Sequence, residues 1–217
     1  MDREKLRTLP LGHAWTPQTL QQHFAAVVGG VAYPGRRPGH AIVVGLCHPR
    51  DRDDFEAHVL DESESEDLGA LLRACRALGK RYRPAGMGLY DLFRWIGDGK
   101  HVGAREIVYR LNGEPGNEYN RLSIGSTTML DDPTPYLSIF ALLSDLTRPE
   151  TKRLYLHGSQ VQLAMHEIPR DEVAETKLGT APGIEALGFV IQGLREEAAM
   201  IWHRMVHPHD DDEVVNW

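Results

Sequence analysis

"GGVAYPGRRPGHAIVVGL", residues 29–46, decides how the chain folds. Val31, Ala32 and Tyr33 close one extended run, and His40 to Leu46 forms another. Between them, two prolines fix φ and two glycines admit positive φ, so the segment reads as strand, turn, strand. Upstream, "FAAVVGGVA" (24–32) is an almost continuous apolar run. That pattern suits a strand covered on both faces at the centre of a sheet. Downstream, "CHPRDRDD" is a polar loop and "FEAHVLDE" (55–62) a third strand. Three strands with short links predict an antiparallel meander.

Working outward, "SESE" (63–66) opens a helix, with Ser63 as cap and Glu66 as its return partner. Leu68, Leu71, Leu72, Cys75 and Leu78 follow at helical spacing. "FRWIGD" (93–98) reads as a fourth strand, 103–111 as a helix and "RLSIGS" (121–126) as a fifth strand. A helical stripe at 136–143, a short extended piece "RLYLH" (153–157), a helix at 161–168 and a long helix from 183 to 203 complete the chain. The order βββαβαβ predicts an α/β fold with a mixed five-stranded sheet flanked by helices. Residues 1–23 read as a lead-in or linker, 24–205 as one domain, and 206–217 as an acidic tail.

Right-handed crossovers would set strand four beside strand one and parallel to it. The strand ends at Ala32 and Asp98 would then lie about 5 Å apart. Asp61 and Glu62, at the end of the third strand, would sit two strands away on the same edge, on the order of 10 Å off.

The 217 residues carry a net charge of −7, which excludes a chain-wide basic coat for nucleic acid. Local cations remain at Arg36-Arg37 and at Lys80, Arg81 and Arg83. The two cysteines, Cys47 and Cys75, read as reduced thiols in a cytoplasmic protein, in settings too apolar to suggest zinc. His203, His207 and His209 read as part of a solvated tail rather than a metal site. "MDREKLRTLPLGHAW" has no apolar core of the length a signal peptide needs, and no apolar run nears the roughly 20 residues that span a bilayer. No G-x-x-x-x-G-K-[ST] occurs, so this chain is not expected to hydrolyse ATP.

The strand order resembles the ribonuclease H-like fold. "VVGGVAYPGRRPGHAIVVGL", "HVLDESESEDLGALLRACRALGKRYRP", "RWIGD", "KRLYLHGSQVQLAMHEIP" and "PGIEALGFVIQGL" are similar, more specifically, to the C-terminal nuclease domain of phage terminase large subunits. That resemblance implies two Mg²⁺ or Mn²⁺ ions held by carboxylates, hydrolysing double-stranded DNA beside an ATPase motor and portal in the bacterial cytoplasm. Carried over, it assigns Asp98 and Glu185 as catalytic metal ligands, with Asp61 able to approach. Arg36, Arg37 and Lys100 would contact phosphate. The position of the first acid, at the end of strand one, is filled by Ala32. Two expectations therefore stand: a two-ion endonuclease, or a degenerate domain that binds DNA or packaging partners without cutting.

Overall fold

A computed structural model of the protein describes residues 3–35, 37–82, 95–97, 111, 134–150, 152–167 and 182–206. The described residues form an α/β fold: a mixed five-stranded sheet between helices. Its central strands are β1 (Phe24–Ala32), β2 (Gly39–Cys47) and β3 (Ala57–Ser65). They pair as the expected antiparallel meander, from Phe24↔Cys47 to Ala32↔His40 and from Gly39↔Ser65 to Leu46↔Ala57. All residues of β1 and β2 are buried, which explains their unbroken apolar sequence.

β4 (Trp95–Gly97) lies parallel to β1 with Gly29↔Trp95 and Val31↔Gly97, as the crossover argument required. β5 is only Leu154–Tyr155, and it pairs parallel with β3 on the far edge. The strand order is β4-β1-β2-β3-β5. The fifth strand thus comes from the "RLYLH" piece; residues 121–126 and 103–111, expected as strand and helix, lie outside the described residues.

The helices are α1 (Arg3–Leu6), α2 (Pro17–His23), α3 (Leu68–Tyr82), α4 (Thr134–Thr147), α5 (Gln160–Glu167) and α6 (Pro182–Val206). α3 begins later than its sequence suggested. Ser63 to Ser65 are held in the ladder with β2, and Asp67 takes over the capping role, accepting from the Ala70 amide at 2.8 Å.

Strand alternation sorts the core into two layers. Ala26, Val28, Ala32, Ile42 and Val44 pack with Ile184, Leu187, Ile191 and Leu194 of α6. Val27, Val31, Ala41 and Val43 pack with Leu71, Cys75 and Tyr82 of α3. Each fully buried aliphatic side chain contributes about 1.5–3 kcal/mol. The Gly29-Gly30 pair permits both layers to close: a Cβ at 29 would strike the Trp95 ring at 2.5 Å, and one at 30 would strike the Ala186 backbone carbonyl of α6.

Residues 3–23, read from sequence as a lead-in, are packed onto the sheet. Leu6 and Leu20 join the α3-side core, with Leu9 and Trp15 against it. Thr16 and Thr19 form a reciprocal cap that starts α2. No described helix is long and apolar enough to cross a membrane.

Candidate functional site

At the carboxyl edge of the sheet, Ala32 is 1% exposed and sits in the core beside α6. Its methyl group offers no ligand atom. β4 reaches this edge at Gly97, partner of Val31, and Asp98 follows it immediately in sequence but lies outside the described residues. Arg36 and Lys100 also lie outside them. Arg37 is exposed at the β1–β2 turn. Glu185 is half-buried in the first turn of α6, between Gly183, which abuts His40, and Ala186, which abuts Gly30. The helix therefore delivers Glu185 to the expected edge.

Asp61 does not join it. A register shift between Val43 and Val44 makes Leu60 an extra residue in β3, since Val44 pairs with Val59 and Val43 with Asp61. Strict alternation would turn Asp61 toward α6. The bulge turns it toward α3, where Arg81 Nη1 donates to it at 2.6 Å and the Tyr82 hydroxyl at 3.1 Å. Its proposed approach to the metal edge is thereby corrected: the carboxylate is neutralised on the opposite face. Glu62 takes the α6 face instead, 3.1 Å from His40 Nε2 and accepting from the Gln160 amide at 2.6 Å.

The carboxylates implied by a two-ion nuclease therefore do not assemble among the described residues. One position is an aliphatic residue in the core, another faces away, and Glu62 already accepts two hydrogen bonds.

A second constellation lies at the opposite end of the sheet. It is built from Cys47 at the end of β2, Glu56 and His58 at the start of β3, and His157 just after β5. One ligand atom from each of Cys47, Glu56 and His58 lies within 4.8 Å of the others, and all three residues are buried. This group can hold a metal ion. His58 Nε2 is 3.1 Å from Glu56 Oε1, and His58 Nδ1 is 2.9 Å from His157 Nε2. Tyr155 stacks on the His58 ring at 4.8 Å.

Two arginines from the N-terminal segment close the network. Arg7 donates to Glu56 at 2.8 Å, and Arg3 reaches Asp54 at 2.8 Å and Glu56 at 3.6 Å. Burial acts to raise the Glu56 pKa, but the bonds from His58 and Arg7 outweigh it and hold the carboxyl down at about 2. Burial pushes the Cys47 thiol up to about 12. Burial, reinforced by the charge of His58, brings His157 down to about 4.

His58 Nδ1 and His157 Nε2 share one hydrogen bond, in which either ring can be the donor. His157 has φ 52°, the one positive φ of a non-glycine residue among the described residues. Such a conformation costs on the order of 1–3 kcal/mol and persists only where the surroundings enforce it.

No family model, no curated protein and no solved structure matches the chain.

Sequence reasoning missed this second group. The two cysteines are far apart in sequence and set in apolar surroundings, and Cys47 closes an apolar strand. The signal that was present is the alternating "CHP…FEAHV", which sets a thiol, a carboxylate and an imidazole near one hairpin end; His157, 99 positions from His58, carried none. His203 lies exposed on α6, away from the group, and His207 and His209 lie outside the described residues.

Proposed function

We propose that the chain is a ribonuclease H-like domain of the terminase type that serves phage DNA packaging by binding duplex DNA rather than by cutting it. The observation that carries this reading is Ala32. At the end of β1, beside the parallel β4, a two-ion nuclease needs a carboxylate that touches both metals. A buried methyl group supplies none, and Asp61 is turned away by the bulge.

The order β4-β1-β2-β3 with an antiparallel meander and one parallel neighbour supports the fold assignment. Exposed cations support the ligand. Arg37 sits at the β1–β2 turn, and Arg73, Arg76 and Lys80 line the outer face of α3 at helical spacing. Leu71 of that helix packs beside Gly39 at the base of the turn, so turn and helix present one surface. Arg36 and Lys100, which the resemblance would also set against phosphate, lie outside the described residues. Contacts of this type grip phosphate without reading bases, and they weaken steeply with salt.

The expected result of incubating supercoiled plasmid with the chain and Mn²⁺ is no nicking, together with salt-sensitive retention of the plasmid. Ala32→Asp should introduce nicking, with Mg²⁺ or Mn²⁺ held between that carboxylate, Asp98 and Glu185. Nicking by the unaltered chain that Asp98→Ala abolishes would establish the two-ion nuclease instead. Absence of DNA retention at low salt would move the ligand from DNA to a packaging protein such as the motor or portal.

A further inference from the structure

We propose that Cys47, Glu56 and His58 form a binding site for one borderline-soft divalent cation of the Zn²⁺ or Co²⁺ class, with His157 as the residue that orients His58. The site lies at the opposite end of the sheet from Ala32, so it stands or falls independently of the DNA-packaging reading.

Three observations carry it. The first is the donor set. A sulfur, an imidazole nitrogen and a carboxylate oxygen come from three side chains whose ligand atoms already lie within 4.8 Å of one another. Coordination to zinc at about 2.0–2.3 Å per bond requires these atoms to close by only an ångström or so. Sulfur and imidazole favour zinc, cobalt or copper, whereas Mg²⁺ prefers an all-oxygen shell.

The second is the orientation of the histidine. A metal-bound imidazole characteristically donates its other N–H to a fixed acceptor. His58 is arranged that way: Nε2 faces Glu56 at 3.1 Å, and Nδ1 faces His157 at 2.9 Å. The ion would sit between His58 Nε2 and Glu56 Oε1, Cys47 would bind as the thiolate with release of its proton, and Arg7 would stay on Glu56 Oε2.

The third is the backbone at His157. Its positive φ aims an imidazole at His58 from a conformation that a plain loop residue avoids. A glycine follows at φ 78°, so the turn could have placed its strain there alone.

Three protein ligands leave a fourth position. A small cleft lined by Leu6, Leu9, Pro10, Trp15, Phe24 and the two imidazoles lies next to the group, but Cys47 and Glu56 do not line it. Trp15 Nε1 is buried and has no hydrogen-bond partner among the described residues.

The test is titration of the full chain with Co²⁺ under a non-chelating reductant. A near-ultraviolet thiolate-to-cobalt band that saturates at one equivalent is expected, displaced by Zn²⁺ and untouched by excess Mg²⁺. Cys47→Ser should lose the band and Cys75→Ser should keep it, since Cys75, in α3, is not among the gathered ligand residues. His157→Ala should weaken Co²⁺ binding about 10–100-fold with the band position unchanged, as expected of an orienting residue. If Cys47→Ser fails to fold, X-ray absorption of the Zn²⁺-loaded chain takes its place and must show one sulfur at about 2.3 Å with nitrogen and oxygen nearer 2.0 Å. Absence of a band with the intact chain, a band that survives Cys47→Ser, or an all-oxygen zinc shell would overturn the proposal; in those cases the group is a buried ion-pair network alone.

Discussion

The two ends of the sheet are held together by different forces. At the carboxyl edge, around Ala32, α6 lies on β1 and β2 through aliphatic side chains and a glycine that lets the backbones touch. At the other end, around Glu56, residues from α1, β2, β3 and the turn after β5 meet through charge: Arg3, Arg7, Asp54, Glu56, His58 and His157. The comparison teaches that shape and chemistry need not coincide. The end that resembles a catalytic edge is an aliphatic junction, and the buried donor cluster sits where the strand order alone gives no reason to look.

Four changes would break or sharpen that contrast. Gly30→Val should do most damage, about 4 kcal/mol or more, because the new side chain meets the Ala186 backbone rather than a movable side chain. Gly35→Ala, with no atom within 4 Å of the new Cβ, should move the urea midpoint negligibly. Equal losses for both would refute the account of the α6 contact.

Glu56→Ala comes next, at about 3–5 kcal/mol, since it leaves Arg7 and His58 facing an uncompensated buried site. Denaturant melts in which Arg7→Ala is added to Glu56→Ala should show strong non-additivity. Additive losses would mean the two residues are not coupled.

Acidification should expose the charged end in two stages. His157 has its folded pKa depressed from 6.5 to about 4, so the unfolded chain takes up that proton first. Stability from this group is complete above pH 6.5 and drains away as pH falls toward about 4. Glu56, depressed from 4.5 to about 2, contributes above pH 4.5 and loses its contribution as pH falls to about 2. That second stage amounts to about 3 kcal/mol. His157→Gln should flatten the upper stage of a melting-temperature profile and leave the lower one. A profile unchanged by His157→Gln would assign the upper stage to another group.

Asp61→Asn should have the smallest effect, about 0.5–1 kcal/mol, because its partner Arg81 is half-exposed and screened by water. In the Ala32→Asp background, Asp61→Asn should leave Mn²⁺-dependent nicking unchanged, as its carboxylate faces α3. Loss of nicking there would restore Asp61 to the metal edge.

Much of the scaffold was legible in the residues. Long apolar runs separated by Pro-Gly turn chemistry announced β1, β2 and the reversal between them, and the leucine spacing announced α3 and α6. The parallel approach of β4 followed from the handedness of crossovers. The burial of Ala32 followed from its place at the end of an apolar central strand. A two-residue strand such as β5 is too short for periodicity to reveal, and the packed N-terminal segment looks polar because Arg3 and Arg7 pair with acids far along the chain.

By itself the sequence determined the meander, the helical stripes and the aliphatic side chain at position 32, because each follows from side-chain type and local period. Only the tertiary structure decided which face Asp61 takes and that Cys47, Glu56, His58 and His157 meet. The reason is physical: one extra residue in a paired strand inverts the alternation beyond it, and that bulge, like a cluster drawn from three elements, exists only once the strands have found their register.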